Sequence, residues 1–143
     1  MDETVTNTVA IGINISWNPN TRQYVWAFAG PGVDPANGNF KLPGPGKTAI
    51  IYTLDAACSA QYQLIYVNLD PELCATYEIE RVHTHPDKSS LTIIDRNSNN
   101  HTRTTPFCLR LVARMTNNIG SGFLSPDPQV TNNPNPKDPT PAT

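Results

Sequence analysis

Two histidines one residue apart, in His83-Thr84-His85-Pro86, are followed by Asp95 with nine residues between it and His85. Side chains at i and i+2 of an extended chain point to the same side. Two neutral imidazoles and a carboxylate form a recognised donor set for catalytic zinc, which keeps one position open for water. Glu78 and Glu80 lie just upstream and supply a candidate general base. The chemistry this spacing suggests is zinc-dependent hydrolysis with His83, His85 and Asp95 as ligands.

This segment resembles the core of the JAMM metalloprotease family, whose signature is His-x-His-Pro followed by Ser-x-x-Asp and a more distant catalytic Glu. The resemblance covers His83 to Asp95 and implies a zinc hydrolase. Its spacing is one residue shorter than the family's, and Thr92 stands where the family has Ser. A slip of one residue turns a strand side chain to the other face. The family also packs helices on its sheet, whereas no window of this sequence shows the 3.6-residue period of a structural helix.

Other constellations fall away on context. Gly44-Pro45-Gly46-Lys47-Thr48 ends like a phosphate-binding loop, but Lys41 occupies the place of its first glycine, and Ile50-Ile51-Tyr52 begins a strand instead of a helix. A blue-copper site needs a His between its Cys and Met, and the segment from Cys108 to Met115 has none. No Gly-x-Ser-x-Gly elbow supports a serine nucleophile. Cys58 and Cys74 sit beside apolar runs and read as small buried fillers. Arg110, Arg114, Lys88, Arg96 and Arg103 read as a solvated outer face. Tyr24, Trp26 and Tyr52 offer a platform for carbohydrate or peptide, although such rings commonly fill sandwich cores.

The elements that must position these residues are strands. Val9, Ile11, Ile13, Ile15 and Trp17 alternate with small or polar residues, the period of a strand with one buried face. Asn18-Pro19-Asn20-Thr21 turns the chain, and Tyr24, Trp26 and Phe28 resume the alternation, which predicts a β-hairpin with an aromatic inner face. A long surface loop is expected from Gly30 to Gly46. Further strands are expected at Ala49–Leu54, Tyr62–Val67, Tyr77–Val82, Leu91–Ile94 and Phe107–Ala113, with a helical turn at Asp70-Pro71-Glu72. Phe123-Leu124 begins an edge strand limited by Pro126 and Pro128. Residues 131–143 are rich in Pro and Asn and are expected to stay extended or disordered as a flexible tail. The fold expected is all-β: one antiparallel two-sheet sandwich of seven or eight strands, immunoglobulin-like, over residues 1–130.

Composition bounds the partners. A formal net charge of −2, without a Lys/Arg run, argues against nucleic acid. No apolar run is long enough to cross a bilayer, and no signal-like start precedes Val5. Three cysteines without CxxC spacing fit a reducing cytoplasm better than a disulfide framework, although export with a removed leader fits the same residues.

The stretch from Phe123 to Pro134, Phe-Leu-Ser-Pro-Asp-Pro-Gln-Val-Thr-Asn-Asn-Pro, resembles the terminal signature of the small bacterial DP-EP family, named for its Asp-Pro and Glu-Pro pairs. Asp127-Pro128 matches the first pair, and Asn133-Pro134 occupies the place of the second. The resemblance implies a bacterial β-sandwich of no assigned chemistry. The leading expectation is therefore a non-enzymatic protein, without a cofactor, that binds or self-associates into a homo-oligomer through its sheet edges, the last strand near Phe123 first among them, or through the Gly30 to Gly46 loop or the tail. The zinc hydrolase is the alternative.

Overall fold

The computed structural model of the chain describes residues 5–69, 79–97, 107–117, 122–126 and 129–131. Ten strands and one short helix occur among them: β1 (Asn7–Asn18), β2 (Gln23–Ala29), β3 (Phe40–Lys41), β4 (Thr48–Leu54), α1 (Ala56–Ser59), β5 (Tyr62–Leu69), β6 (Ile79–Thr84), β7 (Ser90–Asp95), β8 (Phe107–Met115), β9 (Gly122–Leu124) and β10 (Gln129–Thr131).

Two five-stranded sheets result. The first has the order β2-β1-β4-β7-β6, and the second runs β3-β10-β8-β5 with β9 also paired to β8. The hairpin forms as its sequence dictates, with Trp17 opposite Tyr24, Ile15 opposite Trp26 and Ile13 opposite Phe28. The sheets are mixed, which corrects the antiparallel expectation: β1 pairs β4 in parallel, and β3 pairs β10 in parallel. Parallel neighbours need a long crossover. The chain from β2 through residue 47 provides one between β1 and β4.

The period-two stripes bury in their middles, while at the ends of the first Val9 is half-buried and Trp17 stays exposed. Ile11, Ile13 and Ile15 of β1, Ile50, Tyr52 and Leu54 of β4, Leu91 and Ile93 of β7, and Leu64, Val67, Leu109, Leu111 and Ala113 of the second sheet join one hydrophobic cluster. Each such aliphatic side chain contributes about 1.5–3 kcal/mol by leaving water.

The segment from Gly30 to Gly46 is more than a surface loop. It sinks Phe40 and Leu42 into the core and contains β3. Its first half folds over the end of β2, where Phe28 N–H donates to the Pro35 carbonyl at 2.9 Å. Gly38 makes this fit possible: its φ is +80°, and a Cβ there would stand 3.1 Å from the Phe28 ring.

A single helical turn forms at Ala56–Ser59, a position without a predicted helix. The turn expected at Asp70-Pro71-Glu72 lies outside the described residues, as does the 131–143 tail apart from Thr131, which pairs with Lys41. Asp55 caps α1 by accepting from Cys58 N–H at 2.8 Å. The Cys58 thiol continues where β4 stops: its Sγ accepts from Ile15 N–H and donates to the Ile15 carbonyl, both at 3.2 Å. The filler reading of Cys58 captures its burial and misses this bonding.

Candidate functional site

The histidine pair forms as the i, i+2 spacing requires. The His83 and His85 rings lie with centroids 5.2 Å apart, and His85 Nε2 is 3.4 Å from Thr92 Oγ1. His83 sits opposite Thr92, on the side of β7 away from Leu91 and Ile93. Asp95 belongs to the other side. It is opposite Thr48 and Ile79, fully buried, with Oδ1 accepting from Asn97 N–H at 2.8 Å. The two imidazoles and this carboxylate therefore do not converge, and the donor set suggested by the spacing is not assembled by these three residues. Among the described residues, no group of three or more His, Cys, Asp or Glu side chains could hold a metal ion. Glu78 lies outside them.

The Gly44 to Thr48 segment enters β4 as a loop. Lys47 is buried, with Nζ 2.7 Å from Glu80 Oε1. That ammonium, through its hydrogen bond, holds the Glu80 carboxyl below its ordinary value. Asn97, at φ +55°, donates from Nδ2 to the carbonyls of Gly44 (2.7 Å) and Gly46 (3.2 Å). These polar groups fasten the loop to the end of β7. Arg110 is exposed, and Arg114 spends Nε on Gln63 Oε1 at 2.9 Å. Cys74 and the side chain of Cys108 lie outside the described residues.

An aromatic cluster lies at the turn end of the β1–β2 hairpin. Tyr24 and Phe123 stack with centroids 3.8 Å apart and planes 9° from parallel. Trp26 meets Phe123 edge-on at 5.8 Å, Tyr62 does so at 5.9 Å, and Trp17 meets Tyr24 edge-on at 4.9 Å. Gln23, Tyr24, Trp26, Phe123, Leu124 and Pro126 line a groove of about 370 Å³ between β2 and β9. Both tryptophans of the chain belong to this cluster, and Trp17, at 49%, and Leu124, at 47%, stay exposed beside the groove.

Two sets of hydrogen-bonding groups are left here. Trp26 is 4% exposed, and its indole Nε1–H finds no acceptor among the described residues. β2 is also the edge of its sheet. Because Phe28 N–H turns outward to Pro35, alternation turns the main-chain groups of Trp26 and Tyr24 outward too, beyond the reach of that cap. Tyr52, named with Tyr24 and Trp26 as a platform residue, is instead fully buried in the core; its hydroxyl has no partner among the described residues, and burial raises its pKa.

Fold and groove together define a small, mostly β protein with an aromatic cleft beside an open strand edge. The chain belongs to the DP-EP family, whose model matches residues 4–134, far more than the dozen residues at Phe123 to Pro134 that carry the signature. No curated protein sequence matches it. Among the described residues, no helix is long and apolar enough to cross a membrane.

Proposed function

We propose that this chain is a non-enzymatic, immunoglobulin-like β-sandwich that self-associates through the open edge of β2 and the aromatic groove next to it. The two sheets sharing one hydrophobic cluster support the sandwich. The observation that carries the association is the character of the β2 edge. Its residues, Gln23-Tyr-Val-Trp-Ala-Phe-Ala29, include neither a charge nor a proline, and Val25 is exposed. Sheet edges that must stay single are guarded by charges, bulges or prolines. The opposite edge, β6, has such a guard, with Glu80, Arg81 and a register shift between Ile79 and Arg81. A second copy satisfies the outward groups of Tyr24 and Trp26 and covers Trp17, Val25 and Leu124 at once. Cys58, a buried unpaired thiol, is compatible with a reducing cytoplasm as the setting.

Sedimentation velocity over a hundredfold concentration range tests this reading. The chain is expected to move from monomer to dimer, and Val25→Lys, which places a guard on the exposed side of β2, is expected to remain monomeric with an unchanged melting temperature. A chain that stays monomeric throughout the range refutes the proposal.

A further inference from the structure

We infer that the groove's occupant is the proline-rich segment of a second copy, residues 132–143; this inference rests on the association reading above. Three observations select it. The first is chemistry. The groove presents aromatic rings, and the β2 edge beside it carries the outward amides of Tyr24 and Trp26. The segment Asn132-Asn-Pro-Asn-Pro-Lys-Asp-Pro-Thr-Pro-Ala-Thr143 has four prolines in twelve residues. Each proline gives up an N–H and keeps a carbonyl, so the main chain of the segment offers more acceptors than donors. Proline rings pack on aromatic side chains, and extended proline-rich chains lose little entropy when they dock in aromatic-lined grooves.

The second observation is charge. The residues lining the groove are uncharged, and the segment carries one Lys and one Asp side by side, so no like-charge repulsion opposes docking. The third is direction. Along β8 the chain steps from Arg114, opposite Gly122, to Phe107, opposite Val130. That is seven positions, roughly 23 Å at about 3.3 Å per residue, and each step carries it farther from its own Phe123. At Thr131 it is heading away from its own groove. Twelve residues at about 3.1 Å each span roughly 37 Å, enough to reach a neighbouring molecule without doubling back. Reciprocal exchange then joins two copies.

The test uses the full chain. In one variant, Pro134, Pro136, Pro139 and Pro141 are all replaced by Ala; in a second experiment, a synthetic peptide of residues 131–143 is added to the unaltered protein. The expected results are a dimer dissociation constant raised at least tenfold in the variant at constant melting temperature, and a peptide that dissociates the dimer and shifts the emission of Trp17 and Trp26. A variant that dimerises as well as its parent overturns the assignment of the segment and leaves edge association standing. A parent that is monomeric at every concentration overturns edge association. In either case, peptide at millimolar concentration that leaves the tryptophan emission unchanged overturns the assignment of the segment.

Discussion

Replacing Cys58 separates two physical roles that a buried cysteine plays at once. Its sulfur fills space in the core, and it also satisfies both main-chain groups of Ile15, on the side of β1 that β4 no longer covers. Cys58→Val keeps the site apolar and removes the hydrogen bonds, while adding one methyl group to the packing. It leaves a buried amide and carbonyl dry, at about 1–3 kcal/mol for an unmet group, partly offset because bonds to sulfur are weak. We expect a loss of about 2 kcal/mol. Cys58→Ala adds the lost packing of one heavy atom, about 1 kcal/mol, for a total of about 3 kcal/mol. Cys58→Ser puts a polar group in the core but keeps a donor and an acceptor in place, and should cost about 1 kcal/mol. For a domain of this size 1 kcal/mol moves the melting temperature by about 3–4 °C, so the alanine variant should melt about 10 °C lower. Calorimetry and urea titration of the three variants measure the order. Hydrophobic burial alone predicts that Val is better tolerated than Ser; finding Val equal to or more stable than Ser refutes the role of the thiol as a strand surrogate.

The buried Tyr52 hydroxyl, without a partner among the described residues, makes Tyr52→Phe neutral or stabilising by about 1 kcal/mol, and a loss above about 1 kcal/mol in urea titration would reveal a partner for it. Acid should destabilise the fold. Asp55 is held below the usual carboxylate range by the Asn14 amide and the Cys58 N–H, Glu80 by Lys47, and Asp87 by the Ser89 N–H. Between the folded values and about 4, where the unfolded chain titrates, the unfolded state binds more protons, so stability is full above about pH 5 and is lost as pH falls through the folded values. Urea midpoints at pH 7, 5 and 3 check this, with a smaller fall expected in Asp55→Asn; midpoints that rise in acid contradict it. Zinc should leave the melting temperature unchanged, because His83 and His85 alone face one side while Asp95 is buried on the other. A rise with zinc that disappears in His83→Ala would restore the hydrolase reading.

The long stripes were legible because each is local: the alternation through Ile11, Ile13 and Ile15, or through Leu109, Leu111 and Ala113, states a buried face without knowledge of any partner. The parallel pairing of β1 with β4 was not, since it is decided by the crossover that follows β2 and not by either strand's residues. Strands of two or three residues, such as β3 and β10, are too short to display a period. The same limit hid the groove. Tyr24 and Trp26 were visible as inward aromatics and Phe123 as the start of an edge strand, but their stacking joins positions about a hundred residues apart. Asp95 lies on the opposite face of β7 from the histidines because it stands three positions beyond Thr92, the residue opposite His83, in one strand.

The most direct measurement of the association is amide hydrogen exchange at Tyr24 and Trp26 as a function of protein concentration. If the β2 edge is where two copies meet, both amides exchange quickly in dilute protein and become protected as the concentration rises, while Val25 and Ala27, already bonded to β1, do not change. Fast exchange at Tyr24 and Trp26 that is the same in dilute and concentrated protein would contradict the account.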